Sequence, residues 1–152
     1  MLFMKHFLSS LATAAVLLTS AAGCTVIREV PAEQALPKNA TPEMKLCRSL
    51  LEAFLKNDAS GFVARLPEDT REQFDVRKFT STRDYITSTM GQPVSFQYLT
   101  TLEFVTLSPH IWKIRFERQD KKGNTIRSEA LFRIITGDVG QGKAAVIGFN
   151  FL

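Results

Sequence analysis

Residues 112–136 read WKIRFERQDKKGNTIRSEALFRIIT. Trp112, Ile114 and Phe116 alternate with charged residues, which is the period-two pattern of a strand with one buried face. The DKKGN segment that follows predicts a tight reversal, and a second strand then runs to Thr136. This stretch therefore predicts an antiparallel hairpin, and it decides the fold class of the chain.

Two further strands flank the hairpin. A period-two segment runs from Val94 to Leu107, and Ser108-Pro109 is predicted as the turn that ends it. After a glycine-rich exit loop at Gly137, Gly140 and Gly142, a last strand runs from Lys143 to Phe151, with Ala145, Ile147, Phe149 and Phe151 predicted on one side. Four sequential strands joined by short turns predict an antiparallel meander, because parallel neighbours need crossovers of a dozen or more residues.

Helical signals occupy the region before the strands. The first helix is predicted from a Thr41 cap to about Asn57 and buries the stripe that contains Leu46, Leu50 and Phe54. A second, short helix ends near Pro67. A third is predicted to open at Ser81-Thr-Arg-Asp84, which has the form of a capping box, and to stop at Gly91.

The charged segment 68–78 fits two alternatives: one or two helical turns from Thr70 to Phe74, or a short extended piece that includes Phe74, Val76 and Phe79. With this segment left open, we predict an α+β domain over residues 41–152. Three N-terminal helices pack on a curved, cone-like antiparallel sheet of about four strands.

Residues 1–23 have the form of a secretory signal peptide. A short leader contains Lys5, and a mostly apolar stretch follows from Phe7 to Leu18. A membrane-spanning helix needs about 20 predominantly apolar residues, so this stretch is too short to cross a bilayer.

The end of this segment, Ala21-Ala22-Gly23-Cys24, resembles the lipobox of bacterial lipoproteins. The resemblance implies that Cys24 is acylated and that residues 24–40 are a lipid anchor and flexible tether. Thr25 follows the cysteine, where an aspartate would resemble an inner-membrane retention signal, so the resemblance favours the outer membrane, facing the periplasm. The alternative is an ordinary secreted protein in which Cys24 is incidental.

Charge excludes one class of partner. The chain has 152 residues and a net charge of +4, and removal of the signal takes away Lys5 and leaves +3. Because basic and acidic residues are interleaved, we expect no nucleic-acid partner. The predicted partners are the membrane, through acylated Cys24, and either an envelope protein or a small apolar ligand.

The second cysteine, Cys47, lies among Leu46, Leu50 and Leu51 at helical spacing. With Cys24 acylated no intramolecular disulfide is possible, so Cys47 is predicted to be a small buried hydrophobe. A reactive thiol is the alternative.

The order of the helices and strands, together with segments Leu46–Phe54, Trp112–Phe116 and Leu131–Ile134, resembles the nuclear-transport-factor-two-like (NTF2-like) family, also called ketosteroid-isomerase-like. The resemblance covers residues 41–152. The family's hairpin between the second and third helices is not evident here. The resemblance implies a pocket between sheet and helices, in which some members place an acid or base and others have no catalysis.

Four residues are candidates for chemistry. His110 follows Ser108-Pro109 and is predicted to be an exposed turn histidine. Glu103, Glu117 and Glu129 are predicted on strands, where a carboxylate that faces the pocket would have a raised pKa. Glu117 and Glu129 share faces with basic residues, however, which favours a solvated charge ladder. We therefore assign no catalytic residue.

No metal or cofactor is expected. The mature chain has one histidine and one cysteine that is not acylated, which give no ligand spacing. No phosphate loop, dinucleotide fingerprint or nucleophile elbow is present. The 12 phenylalanines fit either a packed core or an apolar cavity.

The sequence thus predicts a lipid-anchored cell-envelope domain that acts as a non-catalytic binding or assembly module. The alternative is a small pocket enzyme of isomerase or hydrolase type that uses a strand carboxylate.

Overall fold

The computed structural model describes residues 35–140 and 143–152. The predicted signal peptide, Cys24 and most of the predicted tether lie outside these residues. Four helices precede four strands, so the predicted α+β class is confirmed. In the described part of the chain, no helix combines the length and hydropathy that crossing a membrane requires.

The first two helices form where the sequence signals them. Helix α1 spans Pro42–Lys56, the Thr41 hydroxyl accepts a hydrogen bond from the Met44 N–H, and Asn57 ends the helix in the left-handed region. Helix α2 spans Ala59–Ala64, and the Asp58 carboxylate accepts from the Gly61 N–H. The buried face of α1 turns Leu50, Leu51 and Phe54 toward the sheet.

The next two helices correct the sequence interpretation. Helix α3 spans Glu68–Gln73, and helix α4 spans Val76–Met90, so the extended alternative for residues 74–79 is wrong. The predicted capping box at Ser81 is also wrong, because the Asp75 carboxylate accepts from the Lys78 N–H and starts the helix earlier. The described residues therefore contain four helices and not the predicted three, and α4 ends at Gly91 as predicted.

The strands form one antiparallel sheet in the order β1-β2-β3-β4, which confirms the meander. Their bounds are Gln92–Thr101 for β1, Leu107–Gln119 for β2, Thr125–Asp138 for β3 and Ala144–Phe151 for β4. Trp112, Ile114 and Phe116 are at most 1% exposed, as their alternation predicts. The helices cover this face of the sheet, and the core lies between the two layers.

The predicted turn at Ser108-Pro109 is wrong. The reversal occupies residues 102–106, and Pro109 lies inside β2, paired with Ile135. The last pair between β1 and β2 joins Thr101 to His110, so the proline has a complete ladder on one side only. A proline is tolerated there because β1 has ended beside it, so its missing N–H breaks no pair of the β1–β2 ladder.

Two details of the last strands also differ. Gly137 belongs to β3, where it pairs with Leu107, and is not part of an exit loop. A register shift between Ile135 and Thr136 moves Ile147 off the side predicted for it, and its side chain is 46% exposed while Val146 is buried. A one-residue shift has this effect because strand side chains alternate between faces.

Candidate functional site

An open cavity with aromatic walls lies between helices α2, α3 and α4 and strand β4. Its volume is about 480 Å³, within the range of roughly 300–1,000 Å³ that is usual for small-molecule sites. Rings from five elements and from the α3–α4 connection line it: Phe54, Phe62, Phe74, Phe79, Phe132, Phe149 and Phe151. We call this space the aromatic cavity.

Phe149 joins the helical wall to the sheet wall. Its ring meets that of Phe62 at 5.3 Å and that of Phe74 at 5.0 Å, both edge to face. Phe132 lies 6.2 Å away on the neighbouring strand. These edge-to-face contacts favour a defined arrangement of rings, so the wall is formed before any ligand enters. The phenylalanines were predicted to form either a packed core or an apolar cavity. In the described residues they do both, because several rings pack in the core and also line the cavity.

Arg83 is the buried charged group in the wall, and Lys78 is exposed at the rim. Arg83 is only 7% exposed, and its Nε donates to the Phe54 carbonyl at 3.0 Å. Its Nη2 lies 3.5 Å from the Leu55 carbonyl and from Gln92 Oε1. The guanidinium also sits 5.7 Å from the centre of the Phe54 ring. Burial lowers the pKa of Arg83, although neighbouring Asp84 opposes the shift.

The charge of Arg83 is only partly balanced. Its carbonyl partners belong to the last turn of α1, whose negative end supplies about half an elementary charge. Among the described residues, no carboxylate forms an ion pair with Arg83, and Nη1 has no recorded partner. The one fully buried polar side-chain atom without a partner in the same residues is Trp112 Nε1, so Nη1 of Arg83, which lines the cavity, keeps some exposure.

The candidate carboxylates lie elsewhere. Glu117 accepts from Arg127 Nε at 2.9 Å, and Glu129 lies 3.3 Å from Lys113 Nζ and 3.6 Å from Arg115 Nε. The prediction of cross-strand charge pairing is therefore confirmed.

Glu103 was predicted on a strand, and that prediction is wrong. It is exposed in the loop between β1 and β2. Among the described residues that line the aromatic cavity, none is a carboxylate.

The prediction for His110 is wrong as well. It lies in β2, is 2% exposed, and faces a second, polar cleft of about 510 Å³. Thr101 Oγ1 is 2.7 Å from Nδ1, and Thr136 Oγ1 is 2.9 Å from Nε2. The error follows from the misplaced turn, because a histidine one residue after a turn would be exposed.

The hydrogen bonds around His110 have one consistent direction. Thr136 donates its proton to the Ser108 carbonyl at 3.3 Å, so it accepts from Nε2–H. Nδ1 is then an acceptor, and Thr101 donates to it. Thr101 in turn accepts from Tyr98, whose hydroxyl lies 2.8 Å away. This series of hydrogen bonds places the Thr101 hydroxyl against an imidazole acceptor, which is the geometry that activates a nucleophile.

Two opposing effects act on the pKa of His110 in the polar cleft. Burial lowers the pKa of His110, and Glu43 in the first turn of α1 opposes the shift. The hydroxyl of Thr41 lowers the pKa of Glu43. His110 is therefore held neutral, as a base or a structural hydrogen-bond partner.

Cys47 is fully buried, which confirms the prediction of a core residue. Burial raises the pKa of its thiol to about 12, so the reactive thiolate does not form near neutral pH. Within residues 35–140 and 143–152, no group of three or more metal-ligating side chains comes together.

Sequence reasoning did not find Arg83 or the Thr101–His110 contact. A helix started at Asp75 places Phe79, Arg83 and Ile86 on one face, so the earlier cap was the signal that could have found Arg83. The partners of His110 come from the two strands on either side of β2, and no local pattern marks them.

No protein-family model and no curated protein matches this chain. Solved structures do resemble it. The SEC-C motif containing protein from Rhodopseudomonas palustris has a TM-score of 0.52 and 16% identity, over 72% of this chain and 77% of that one. This similarity is one of fold.

Two more solved structures are similar at a lower level. One is described as a calcium/calmodulin dependent protein kinase II association domain from Xanthomonas campestris, with a TM-score of 0.48 and 13% identity over 77% of this chain and 91% of that one. The other is described as an NTF2-like transpeptidase from Campylobacter jejuni, with a TM-score of 0.41 and 12% identity over 70% of this chain and 97% of that one.

Proposed function

We propose that this chain is a lipid-anchored protein of the cell envelope, held at the outer membrane through acylated Cys24. Its NTF2-like domain is a non-catalytic binding module that faces the periplasm and takes a small apolar ligand. The lipobox-like end of the leader supports the anchor, and the order of helices and strands supports the fold family. The aromatic cavity is the observation that carries the binding role.

The wall chemistry indicates the kind of ligand. An apolar body fits the phenylalanine rings, and Arg83 with Lys78 at the rim favours an acidic head group. A buried guanidinium with a free Nη1 gains most from an ionised oxygen, because charge-assisted hydrogen bonds are the stronger ones. A medium-chain fatty acid or an aryl carboxylate meets both requirements.

A pair of matched substitutions on α4 tests the cavity. Thr82 lines the cavity and its neighbour Ser81 does not, and both are exposed. Thr82→Glu and Ser81→Glu add the same charge, each four residues after a basic residue, Lys78 or Arg77. Displacement of a fluorescent naphthylamine probe by dodecanoate measures binding.

We expect Thr82→Glu to weaken dodecanoate binding about 10-fold, or about 1.4 kcal/mol, because a carboxylate at the mouth must be desolvated and repels the head group. Ser81→Glu should bind like the unmodified chain. Dodecanol, which lacks the charge, should bind more weakly than dodecanoate. Equal binding by both variants, or no binding by the unmodified chain, would contradict the binding role.

The alternative is a small pocket enzyme of isomerase or hydrolase type. The observation that favours it is the contact of 2.7 Å between Thr101 Oγ1 and His110 Nδ1, beside the polar cleft. A strand carboxylate is the weaker candidate for the catalytic group, because Glu117 and Glu129 are held in ion pairs. Mass spectrometry of the ligand recovered from the titration separates the two functions, since a binding module returns it unchanged.

A further inference from the structure

One end of the sheet carries exposed apolar side chains that are part of neither the core nor the aromatic cavity. The β1–β2 loop and the β3–β4 turn meet at this end, because Leu107 pairs with Gly137. Five side chains there are exposed: Leu102 by 47%, Phe104 by 64%, Val105 by 103%, Leu107 by 39% and Val139 by 55%. We call these five residues the apolar tip.

Hydrogen-bonded turns hold the apolar tip in place. The Leu102 N–H donates to the Pro109 carbonyl at 2.9 Å, and the Phe104 N–H donates to the Leu107 carbonyl at 3.1 Å. The Val139 N–H likewise donates to the Lys143 carbonyl at 3.2 Å. Backbone hydrogen bonds thus fix the segments that expose these apolar side chains. An exposed apolar patch of this kind is typical of a contact surface.

The chain passes beside this end just before α1, although its first described residues, Ala35 and Leu36, line a cleft farther along α1 with Ser49 and Glu52. Pro37, Asn39 and Thr41 line the same polar cleft as Glu103 and Phe104. Ten residues, 25–34, separate Cys24 from the first described residue. Fully extended, the eleven residue steps from Cys24 to Ala35 reach at most about 40 Å. A domain anchored through Cys24 therefore stays close enough to the bilayer for one of its ends to touch it.

We infer that the apolar tip rests in the headgroup region of the membrane to which Cys24 is anchored. This inference rests on the anchor of the proposed function. An aromatic ring and four aliphatic side chains gain free energy when they enter the boundary between headgroups and acyl chains. The tip then acts as a second attachment beside the lipid and fixes the orientation of the domain on the bilayer.

Tryptophan placed at two exposed sites tests the contact. Val105→Trp puts the reporter in the tip, and Tyr85→Trp puts it at a 74% exposed site on α4. Helix α4 ends against Glu117 and Arg118, near the other end of the sheet. The native Trp112 is buried and gives both variants the same background. The full chain is purified with its anchor and reconstituted in phosphatidylcholine vesicles that carry bromine on the acyl chains.

We expect the added emission of Val105→Trp to shift to the blue and to be quenched by the brominated lipid, while that of Tyr85→Trp is not. Emission from Val105→Trp that stays unquenched on vesicle-bound protein overturns the inference, and so does equal quenching at both sites.

The anchor is checked separately by the mass of the chain. If Cys24 carries no acyl group, the anchor of the proposed function fails. The mature chain is then coupled through Cys24 to a lipid with a maleimide headgroup, and the same comparison still decides whether the tip enters the membrane.

Discussion

At the residue scale, two buried polar side chains beside the cavities, His110 and Arg83, have their hydrogen-bonding groups satisfied in different ways. His110 has a hydroxyl hydrogen-bonded to each ring nitrogen, and this series of hydrogen bonds ends on the Ser108 carbonyl. Arg83 instead binds carbonyls at the end of α1 and keeps Nη1 free. A fully paired histidine stabilises the fold, whereas a partly paired guanidinium on a cavity wall is suited to a ligand.

The buried histidine predicts a specific dependence of stability on pH. Because folding lowers the pKa of His110 below its ordinary value of 6.5, the unfolded chain takes up the proton first as the pH falls. The contribution of His110 is therefore intact above pH 6.5 and is lost below it, by at most about 1.4 kcal/mol per pH unit. His110→Gln should remove this part of the pH dependence. Urea unfolding at a series of pH values measures it, and parallel curves for the two proteins would contradict the prediction.

At the scale of the elements, the transition from α4 to β1 is the tightest connection. Gly91 is buried with φ of 99°, and a Cβ there would fall against the backbone carbonyl of Glu117. The last helical turn and the end of β2 can approach only because this residue has no side chain. The position therefore sets how closely the helical layer packs on the sheet.

Substitution of two glycines by alanine separates the cost of a strained backbone conformation from the cost of the steric contact with Glu117. Gly123 also has a positive φ, of 81°, but a Cβ there would meet nothing within 4 Å. We expect Gly123→Ala to cost about 1 kcal/mol from the backbone conformation alone. Gly91→Ala should cost at least about 3 kcal/mol, since a steric clash is added. Urea unfolding provides both values, and equal costs would show that the contact with Glu117 is relieved cheaply.

At the scale of the whole molecule, the proposed arrangement is a domain attached by lipid at its N-terminal end, with the aromatic cavity open between helices and sheet. Cys24 and Cys47 have opposite environments in this arrangement. One thiol is proposed to carry acyl chains, and the other is fully buried with a pKa of about 12. Two or more acyl chains on one site are needed for stable anchoring, because a single chain binds only marginally.

Cysteine substitutions test the anchor in cells. Incorporation of labelled palmitate should occur in the unmodified chain and in Cys47→Ala, and should be lost in Cys24→Ser. The Cys47 variant is the matched control, because it removes the other cysteine without touching the lipobox-like segment. Label that persists in Cys24→Ser, or that is absent from the unmodified chain, would contradict the anchor.

The sequence by itself determined that helices precede strands, the antiparallel meander, the Gly91 stop and the buried state of Cys47. These features follow from local periodicity and turn chemistry, which act over a few residues. The start of α4 was missed because two capping signals, Asp75 and Ser81, compete within six residues, and packing of Phe79 on Phe54 and Phe62 favours the earlier one.

Only the tertiary structure decided which polar side chains are buried and where a cavity remains. His110 meets Thr136 across 26 positions of the chain, and Arg83 meets Phe54 across 29. A single register shift in β4 decides that Val146 and not Ile147 enters the core. Burial is a property of contacts between distant segments, so a local pattern predicts which side chains alternate but not which of them lose contact with water.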